Sequence, residues 1–208
     1  MKEKELERLI YLKKIEEEIY SSGVKTICGI DEAGRGPLAG PVVVAAVIMP
    51  KDSMIEGVND SKKVSEKKRE ILYEQIINEA ISYSVGIIDQ KEIDEINILN
   101  ATKKGLTTAI KGLEVKPQRI IVDALEHIDT CQIPYTSIIK GDAKCYYIAA
   151  ASIIAKVTRD IIMRQWGQIY PDYCFEKHKG YGTKAHIAAI KEYGLTPLHR
   201  LSFVKNIV

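Results

Sequence analysis

Hydrophobic and polar residues alternate along this chain with periods that distinguish helices from strands. Apolar side chains recur at every third or fourth position between residues 3 and 20, which predicts an amphipathic N-terminal helix. Residues 24–30 and 42–49 are mostly apolar runs, and the second is rich in β-branched residues, as is typical of a buried central strand. Residues 81–88 alternate apolar with small or polar side chains and predict a third strand.

The second half of the chain alternates short apolar strands with longer helical patterns. Strands are predicted over residues 119–122 and 135–139. Helices are predicted over residues 65–80, 97–112, 143–169 and 184–193. The second of these helices is expected to bury Leu99, Leu106 and Ile110. This order of elements indicates an α/β fold with a mixed β-sheet flanked by helices on both faces, and no repeat or linker divides the 208 residues, so we expect a single domain.

Composition narrows the class of protein without identifying it. Apolar residues make up 46% of the chain and charged residues 28%, which is ordinary for a globular protein. No apolar run has membrane-spanning length, and the N-terminus lacks the apolar core of a signal peptide. The four cysteines form neither a zinc-ligand pattern nor a C-x-x-C pair, so we expect reduced thiols in a cytoplasmic protein that does not bind membranes.

Charge is distributed unevenly, although the formal net charge is only +2. From Lys140 onward the chain carries 11 Lys and Arg against 5 Asp and Glu. This basic excess is compatible with a polyanion-binding surface and equally with solvated helix faces. On the first interpretation, Arg159 and Lys179 are expected to contact phosphates.

Acidic residues stand where three predicted strands end. Asp31 and Glu32 follow the first strand, Asp123 follows the strand at 119–122, and Asp142 lies just past the next one. If these strands are neighbours, the carboxylates meet at one edge of the sheet. An all-oxygen set without nearby His or Cys favours Mg²⁺ or Mn²⁺ over Zn²⁺, and two such ions can hold the attacking and leaving oxygens of a phosphoryl displacement.

The adjacent acids Asp31 and Glu32 pose a geometric problem. Successive residues of a regular strand point to opposite faces, so the two carboxylates cannot both reach one ion from a regular strand. We therefore expect the strand to end or bulge there. The alternative is that Asp31 belongs to the site and Glu32 is a solvated turn residue.

Two glycine-containing segments offer backbone that a nucleic acid could approach. Gly34, Arg35 and Gly36 follow the acids, and the spacing and following strand do not fit a dinucleotide-binding fingerprint. We expect their peptide groups to approach a sugar-phosphate, with Arg35 on a phosphate, although a tight turn would use the same residues. Tyr181 lies between two glycines next to Lys179, a setting that suits stacking on a base or sugar as well as a plain exposed turn.

Several motifs occur in a fixed order over residues 24–205. They are residues 29–41 (GIDEAGRGPLAGP), 59–62 (NDSK), 122–123 (VD), 140–144 (KGDAK), 150–160 (AASIIAKVTRD), 178–181 (HKGY) and 198–203 (LHRLSF). Together they resemble the type 2 ribonuclease H family, and in particular bacterial ribonuclease HII.

The resemblance implies a ribonuclease H-like fold and an endonuclease that hydrolyses RNA in RNA–DNA hybrids. It also implies cleavage 5′ of single ribonucleotides in duplex DNA, leaving a 3′-hydroxyl and a 5′-phosphate. On the matching motifs, the metal and catalytic carboxylates are Asp31, Glu32, Asp123 and Asp142. Substrate binding falls on Gly34, Arg35 and Gly36, which would recognise the ribose 2′-hydroxyl, on Lys62, Lys144 and Lys179, and on Tyr181, which would stack at the RNA-to-DNA junction.

Two other functions remain open on the sequence. A ribonuclease HIII-like enzyme would prefer hybrids over single ribonucleotides and usually has an extra N-terminal domain. A non-catalytic nucleic-acid-binding module on the same fold would be expected to lack some of the four carboxylates, and all four are present. We expect the nuclease to act as a monomer.

Overall fold

The computed structural model describes residues 2 to 207. Within this range the chain forms five strands, eight α-helices and three short 3₁₀ turns. The strands are β1 (Ile27–Ala33), β2 (Val42–Ile48), β3 (Ser82–Ile88), β4 (Arg119–Asp123) and β5 (Tyr135–Ile138). The helices are α1 (Glu3–Leu12), α2 (Lys14–Ser21), α3 (Glu66–Glu79), α4 (Gln90–Lys111), α5 (Tyr146–Ile169), α6 (Phe175–His178), α7 (Lys184–Tyr193) and α8 (Leu201–Val204).

All five strands form one mixed sheet in the order β3-β2-β1-β4-β5. The first three strands are antiparallel neighbours: residues 34–41 connect β1 to β2, and a longer connection that contains α3 joins β2 to β3. Strands β4 and β5 are added parallel to β1 on its other side. The mixed sheet predicted from the order of elements is confirmed.

Helices cover both faces of this sheet, as predicted. Helix α5 packs against β1 and β2, and its first ten residues are almost completely buried. Helix α4 lies on the opposite face, where Leu106 and Ile110 pack against Cys28 and Ile30 of β1. The central strand β1 is therefore enclosed on both sides, and its C-terminal end is the part that approaches the surface.

The single N-terminal helix predicted over residues 3–20 is wrong in one respect, because the structure divides it into α1 and α2 at Lys13. Lys13 is buried, and its ammonium donates to the carbonyls of Lys51 at 2.5 Å and Ser53 at 3.0 Å. On the other side of the break, the buried Glu16 carboxylate accepts the Tyr147 N–H at 2.9 Å. These polar anchors hold both helices against the core.

Helix α4 begins seven residues earlier than predicted and is interrupted at Asn97. This residue has φ 67° and ψ 163°, and its side-chain oxygen accepts from the N–H groups of Leu99 and Asn100, which starts the second segment. Leu106 and Ile110 are buried as predicted. The inward position predicted for Leu99 is wrong, since that side chain is 43% exposed in the first turn after the interruption.

Other boundaries differ from the sequence pattern by a few residues. Residues 141–143 form a 3₁₀ turn, so α5 starts at Tyr146 rather than at 143. Strand β1 starts three residues later than predicted and continues through both acids to Ala33. The short helices α6 and α8 were not predicted, because four residues are too few to establish a helical period.

Helix α5 approaches β1 so closely that Gly29 has no room for a side chain. A Cβ at this position would lie 2.3 Å from the carbonyl carbon of Tyr147. We expect Gly29→Ala to destabilise the protein by about 3 kcal/mol, since the obstacle is rigid backbone. Thermal unfolding should show a midpoint lowered by roughly 6–12 °C for a chain of this size.

The matched control is Gly36→Ala, whose Cβ would meet nothing closer than Tyr181 Cε1 at 4.0 Å. Its unfolding midpoint should stay close to that of the wild type. If Gly29→Ala unfolds at the same midpoint as Gly36→Ala, then α5 can move away from β1 without loss of stability.

Candidate active site

The ends of β1 and β4 bring two carboxylates to the same level of the sheet. These strands are parallel, and Ile30 pairs with Val122, so Asp31 and Asp123 occupy the next position on each. Both positions belong to the face that α5 covers, because Gly29 and Ile121, two residues earlier, contact α5 or share its core cluster. The predicted meeting of strand-end acids is therefore found for this pair.

Asp142 joins them from the turn that precedes α5. The Gly141 N–H donates to Asp123 Oδ1 at 2.7 Å, and this bond ties the turn to the end of β4. Asp142 itself is buried, and its Oδ2 lies 3.5 Å from the Lys62 ammonium. We refer to Asp31, Asp123 and Asp142 as the acidic edge.

Glu32 follows Asp31 in a part of β1 that stays regular, without the bulge that the sequence suggested. The ladder with β2 runs without a bulge, pairing Asp31 with Ala45, Glu32 with Val44 and Ala33 with Val43. The expected bulge is not found, and the strand ends one residue later, at Ala33; Glu32 still lies close enough to the acidic edge for its charge to raise the pKa of Asp31. Its side chain is only 15% exposed and lies 3.3 Å from Arg35 Nη1, so it is not a solvated turn residue either.

Burial and mutual repulsion make the acidic edge strongly electronegative. Burial is the main cause of the raised pKa of Asp31, and the charges of Glu32, Asp123 and Asp142 raise that pKa further. The pKa of Asp142 is raised by burial and then by Asp60 and Asp123. Burial also raises the pKa of Glu32, while Arg35 opposes that shift. Positive charge brought to this edge would therefore be stabilised.

The donor chemistry fits a hard divalent cation, since the edge offers carboxylate oxygens and no sulfur or imidazole. In the part of the chain that the structure describes, no three His, Cys, Asp or Glu side chains are already close enough to hold an ion. Glu32 is paired with Arg35 and Asp142 with Lys62 instead. Metal ligation would exchange these ion pairs for carboxylate–metal contacts.

The glycine-rich segment lies beside the acidic edge and faces Tyr181. Gly34 has φ +98°, and a Cβ there would come within 2.1 Å of Arg159 Nε. At Gly36 the space is open, and the nearest atom to a built Cβ is Tyr181 Cε1 at 4.0 Å. Tyr181 is 44% exposed, and its ring lies 5.9 Å from Arg159 Cζ. A sugar-phosphate could enter between bare backbone and an exposed aromatic ring.

Two buried arginines hold this segment in place, and sequence reasoning did not identify either in that role. Arg159 donates to the carbonyls of Ala39, Pro41 and Lys179 at 2.9–3.0 Å. Arg200 donates to the carbonyls of Gly34, Arg35, Gly40 and Pro41 at 2.6–3.1 Å. Both lie within motifs singled out above, but a sequence motif does not say which way an arginine points.

Burial lowers the pKa of Arg159 to about 10 and that of Arg200 to about 9, so both guanidiniums stay charged at neutral pH. Their side chains are 1% and 0% exposed. The expectation that Arg159 contacts phosphate is therefore wrong, because all three of its donating nitrogens are committed to backbone carbonyls inside the protein.

The three candidate lysines differ in accessibility. Lys62 and Lys144 are exposed, and Lys62 lies at the acidic edge. Lys179 is only 7% exposed, and its ammonium contacts the Glu176 carbonyl and lies 3.2 Å from Glu66 Oε1. Its backbone contributes to the site through the carbonyl that accepts from Arg159, while its charge is directed into the protein.

The fold and this site define a class of protein. A mixed sheet with acids at the ends of neighbouring strands, next to a backbone groove, is the arrangement of a carboxylate-based, metal-dependent nuclease with a ribonuclease H-like fold. Among residues 2–207, no helix has the length and apolar character needed to cross a membrane.

Comparison with known proteins identifies the family. The family model described as Ribonuclease HII matches residues 28–206. Ribonuclease HII of Acetivibrio thermocellus is 56% identical over 206 residues, which cover 99% of this chain and 80% of that protein. The chain belongs to the ribonuclease HII family, and it is an endonuclease with ribonuclease H activity.

Two solved archaeal structures agree with this assignment. The ribonuclease H2 of Pyrococcus horikoshii superposes with a TM-score of 0.74 at 29% identity, over 88% of this chain and 97% of that one. Archaeoglobus fulgidus ribonuclease HII, solved in complex with PCNA, gives 0.72 at 28% identity over 85% and 94%. The ribonuclease H-like fold is confirmed, members of the family depend on divalent metal ions, and the HIII alternative is less well supported.

Arg200 offers a direct test of how the glycine-rich segment is held. We expect Arg200→Lys to lower the unfolding midpoint by more than about 5 °C, because one ammonium cannot donate to four buried carbonyls. Each buried carbonyl left without a donor costs about 1–3 kcal/mol. Hydrogen exchange should also speed up at the amides of Leu38 and Gly40, which are bonded to Gly180 and Leu198.

Arg164→Lys is the matched control, since Arg164 forms its ion pairs with Glu66 and Glu70 at the surface. Surface pairs are worth about 0–1 kcal/mol, so this variant should melt near the wild type. Unchanged exchange at Leu38 and Gly40 in Arg200→Lys would mean that Arg200 does not order the segment.

Proposed function

We propose that this enzyme hydrolyses the RNA strand of RNA–DNA hybrids and cuts on the 5′ side of single ribonucleotides embedded in duplex DNA. Asp31, Glu32, Asp123 and Asp142 would hold two divalent ions, Mg²⁺ or Mn²⁺. The observation that carries the proposal is the acidic edge, where Asp31 and Asp142 are buried with raised pKa values, next to Asp123 and to an open strip of glycine backbone.

Recognition of a ribonucleotide would fall to the segment from Gly34 to Gly36 and to Tyr181. Peptide groups at Gly36 lie next to open space, so they can approach a 2′-hydroxyl, which is the group that distinguishes RNA from DNA. Arg35 is 44% exposed and would bind a phosphate after leaving Glu32. Tyr181 faces the same space and would stack beside the scissile nucleotide.

The chemistry is the hydrolysis of a phosphodiester to a 3′-hydroxyl and a 5′-phosphate. When bound, the divalent ions supply positive charge beside the scissile phosphate and make water a better nucleophile. Asp31, Asp123 and Asp142 orient this charge because β1, β4 and the Gly141 turn fix their backbones. Lys62 lies 3.5 Å from Asp142 and would move to a substrate phosphate as metal replaces it.

Binding of the flanking duplex would rely on exposed cations, with Lys62 and Lys144 as the candidates nearest the acidic edge. Lys179 would contribute through its backbone, because its ammonium is engaged inside the protein. The four free cysteines support a reducing, cytoplasmic setting, and we propose that the enzyme acts as a monomer.

The central test is removal of single carboxylates from the acidic edge. We expect Asp31→Asn and Asp123→Asn each to reduce cleavage of a duplex with one embedded ribonucleotide by more than about a hundredfold, with Mg²⁺ or Mn²⁺. In EDTA the unfolding midpoint of Asp31→Asn should not fall, because the substitution removes a buried charge that its neighbours repel.

Asp52→Asn is the control, since Asp52 is an exposed acid at the opposite end of the sheet from Asp31. A long RNA–DNA hybrid and an all-DNA duplex complete the substrate set. If both edge variants keep more than a few per cent of wild-type cleavage, these residues do not bind the catalytic metal. If the wild-type enzyme cleaves the hybrid but not the duplex with one embedded ribonucleotide, the proposed action on single ribonucleotides is wrong.

Tyr181 should affect the rate of cleavage at a single ribonucleotide more than the affinity for duplex. Stacking is worth roughly 1–3 kcal/mol per base, so Tyr181→Ala should lower the single-turnover rate by about tenfold or more. Tyr181→Phe retains the ring and should retain most of the rate. Equal losses in the two variants would assign the function to the hydroxyl and rule out stacking.

A further inference from the structure

Three histidines lie beneath the loop that presents Tyr181, and two of them, His186 and His199, are buried. They come from three elements: His178 ends α6, His186 lies in α7, and His199 precedes α8. The rings of His178 and His186 stack with centroids 4.4 Å apart, and Nε2 of His186 lies 3.1 Å from Nε2 of His199. Two facing ring nitrogens at this distance need one donor and one acceptor.

The backbone partners determine which nitrogen carries each proton. The Thr196 N–H donates to His199 Nδ1 at 2.9 Å, closer than the 3.3 Å between that nitrogen and the Thr196 carbonyl, so we assign Nδ1 as an acceptor and the proton of His199 to Nε2. His199 Nε2–H then donates to His186 Nε2, which places the proton of His186 on Nδ1. That Nδ1–H donates in turn to the Tyr181 carbonyl at 3.0 Å. We call this chain from Thr196 to Tyr181 the histidine relay.

His178 supports the same loop from the side. The Gly180 N–H donates to His178 Nδ1 at 3.2 Å, and His178 Nε2 donates to the Tyr173 carbonyl at 2.6 Å. The relay thus reaches the Tyr181 carbonyl, while His178 receives the N–H of the residue before it. The Tyr181 carbonyl and the Gly180 N–H therefore both have fixed partners.

The surroundings of the relay favour neutral imidazoles. Burial lowers the pKa of His186 to about 4 and also lowers the pKa of His178 and of His199. The ionisable groups that face the three rings are Tyr173, packed against His199, and Glu176 and Lys179, which act on His178. Over residues 2–207, no carboxylate forms an ion pair with any of these histidines.

We propose that His186 and His199 are positioning residues that hold Tyr181 opposite Gly36 through the histidine relay. The inference rests on the proposed role of Tyr181 in substrate recognition. Neither imidazole touches the substrate groove. Their effect passes through the carbonyl of Tyr181, whose orientation sets where the exposed ring stands.

We expect the histidine relay to weaken as the pH falls. An extra proton on His186 would sit on Nε2, make both Nε2 atoms donors and break the link between them, whereas an extra proton on His199 would sit on Nδ1 and remove the acceptor of the Thr196 N–H. Because the folded pKa of His186 is lower than the value of 6.5 for a free histidine, protons favour the loosened state as the pH falls from about 6.5 towards 4. The ordered loop is therefore most stable above pH 6.5.

Two substitutions of His186 cut the relay on opposite sides. In His186→Asn, the short side-chain amide takes the place of Nδ1 and can still donate to the Tyr181 carbonyl. In His186→Gln, the longer amide takes the place of Nε2 and meets His199 but not Tyr181. We expect His186→Gln to lower the single-turnover rate at an embedded ribonucleotide by about five- to tenfold, and His186→Asn by less than about threefold.

A double-mutant cycle with Tyr181→Ala separates positioning from general stability. If the relay acts through the ring, His186→Gln should cause no further loss in the Tyr181→Ala background. Independent losses that multiply, or equal losses in the Asn and Gln variants, would overturn the proposal. A wild-type enzyme that does not cut at embedded ribonucleotides would instead overturn the proposed function, and a silent Tyr181→Ala would overturn both.

A second measurement needs no variant. Nitrogen-15 NMR of the imidazoles in the wild-type protein at pH 7.5 should find His186 protonated on Nδ1 and His199 on Nε2. The opposite tautomer at either ring would contradict the relay. Lowering the pH towards 5 should speed up hydrogen exchange at the amides of residues 180–183 before the rest of the protein, and uniform exchange would contradict it as well.

Discussion

The buried guanidiniums of Arg159 and Arg200 hold together the segments from which the substrate groove is built. An unpaired buried charge is very costly, and neither arginine has a carboxylate partner among the residues that the structure describes. Each charge is instead stabilised by peptide carbonyls, which come from residues 34–41 and from Lys179. Folding must therefore bring these segments around the arginines before either charge can be buried.

The acidic edge and the glycine-rich segment lie side by side but differ in their electrostatics. At the acidic edge the charges are alike, and burial and repulsion raise the pKa of Asp31 and Asp142. That edge gains stability only when positive charge arrives. The segment from Gly34 to Gly36 has the opposite character, since the carbonyls of Gly34 and Arg35 already accept from the charged Arg200.

The features that sequence predicted well depend on short-range patterns. Strands β2, β3 and β4 and helix α7 lie within a residue or two of their predicted bounds, because hydrophobic period and turn residues are local properties. The candidate acids were found for a similar reason, since Asp31 and Asp123 each follow a buried apolar strand. That β1 and β4 are neighbours was only a condition of this prediction, and the structure established it.

Features that depend on direction were decided by the tertiary structure. The sequence predicted Asp31 and Glu32 together at the end of β1, but only the structure showed that the ladder with β2 stays regular through both and that Glu32 pairs with Arg35. Lys179 and Arg159 were predicted to contact phosphates, yet packing directs both side chains to partners inside the protein. The same holds for His186 and His199, whose contact joins α7 to the segment before α8. Side-chain direction follows from which elements pack together, and no local period in the sequence carries that information.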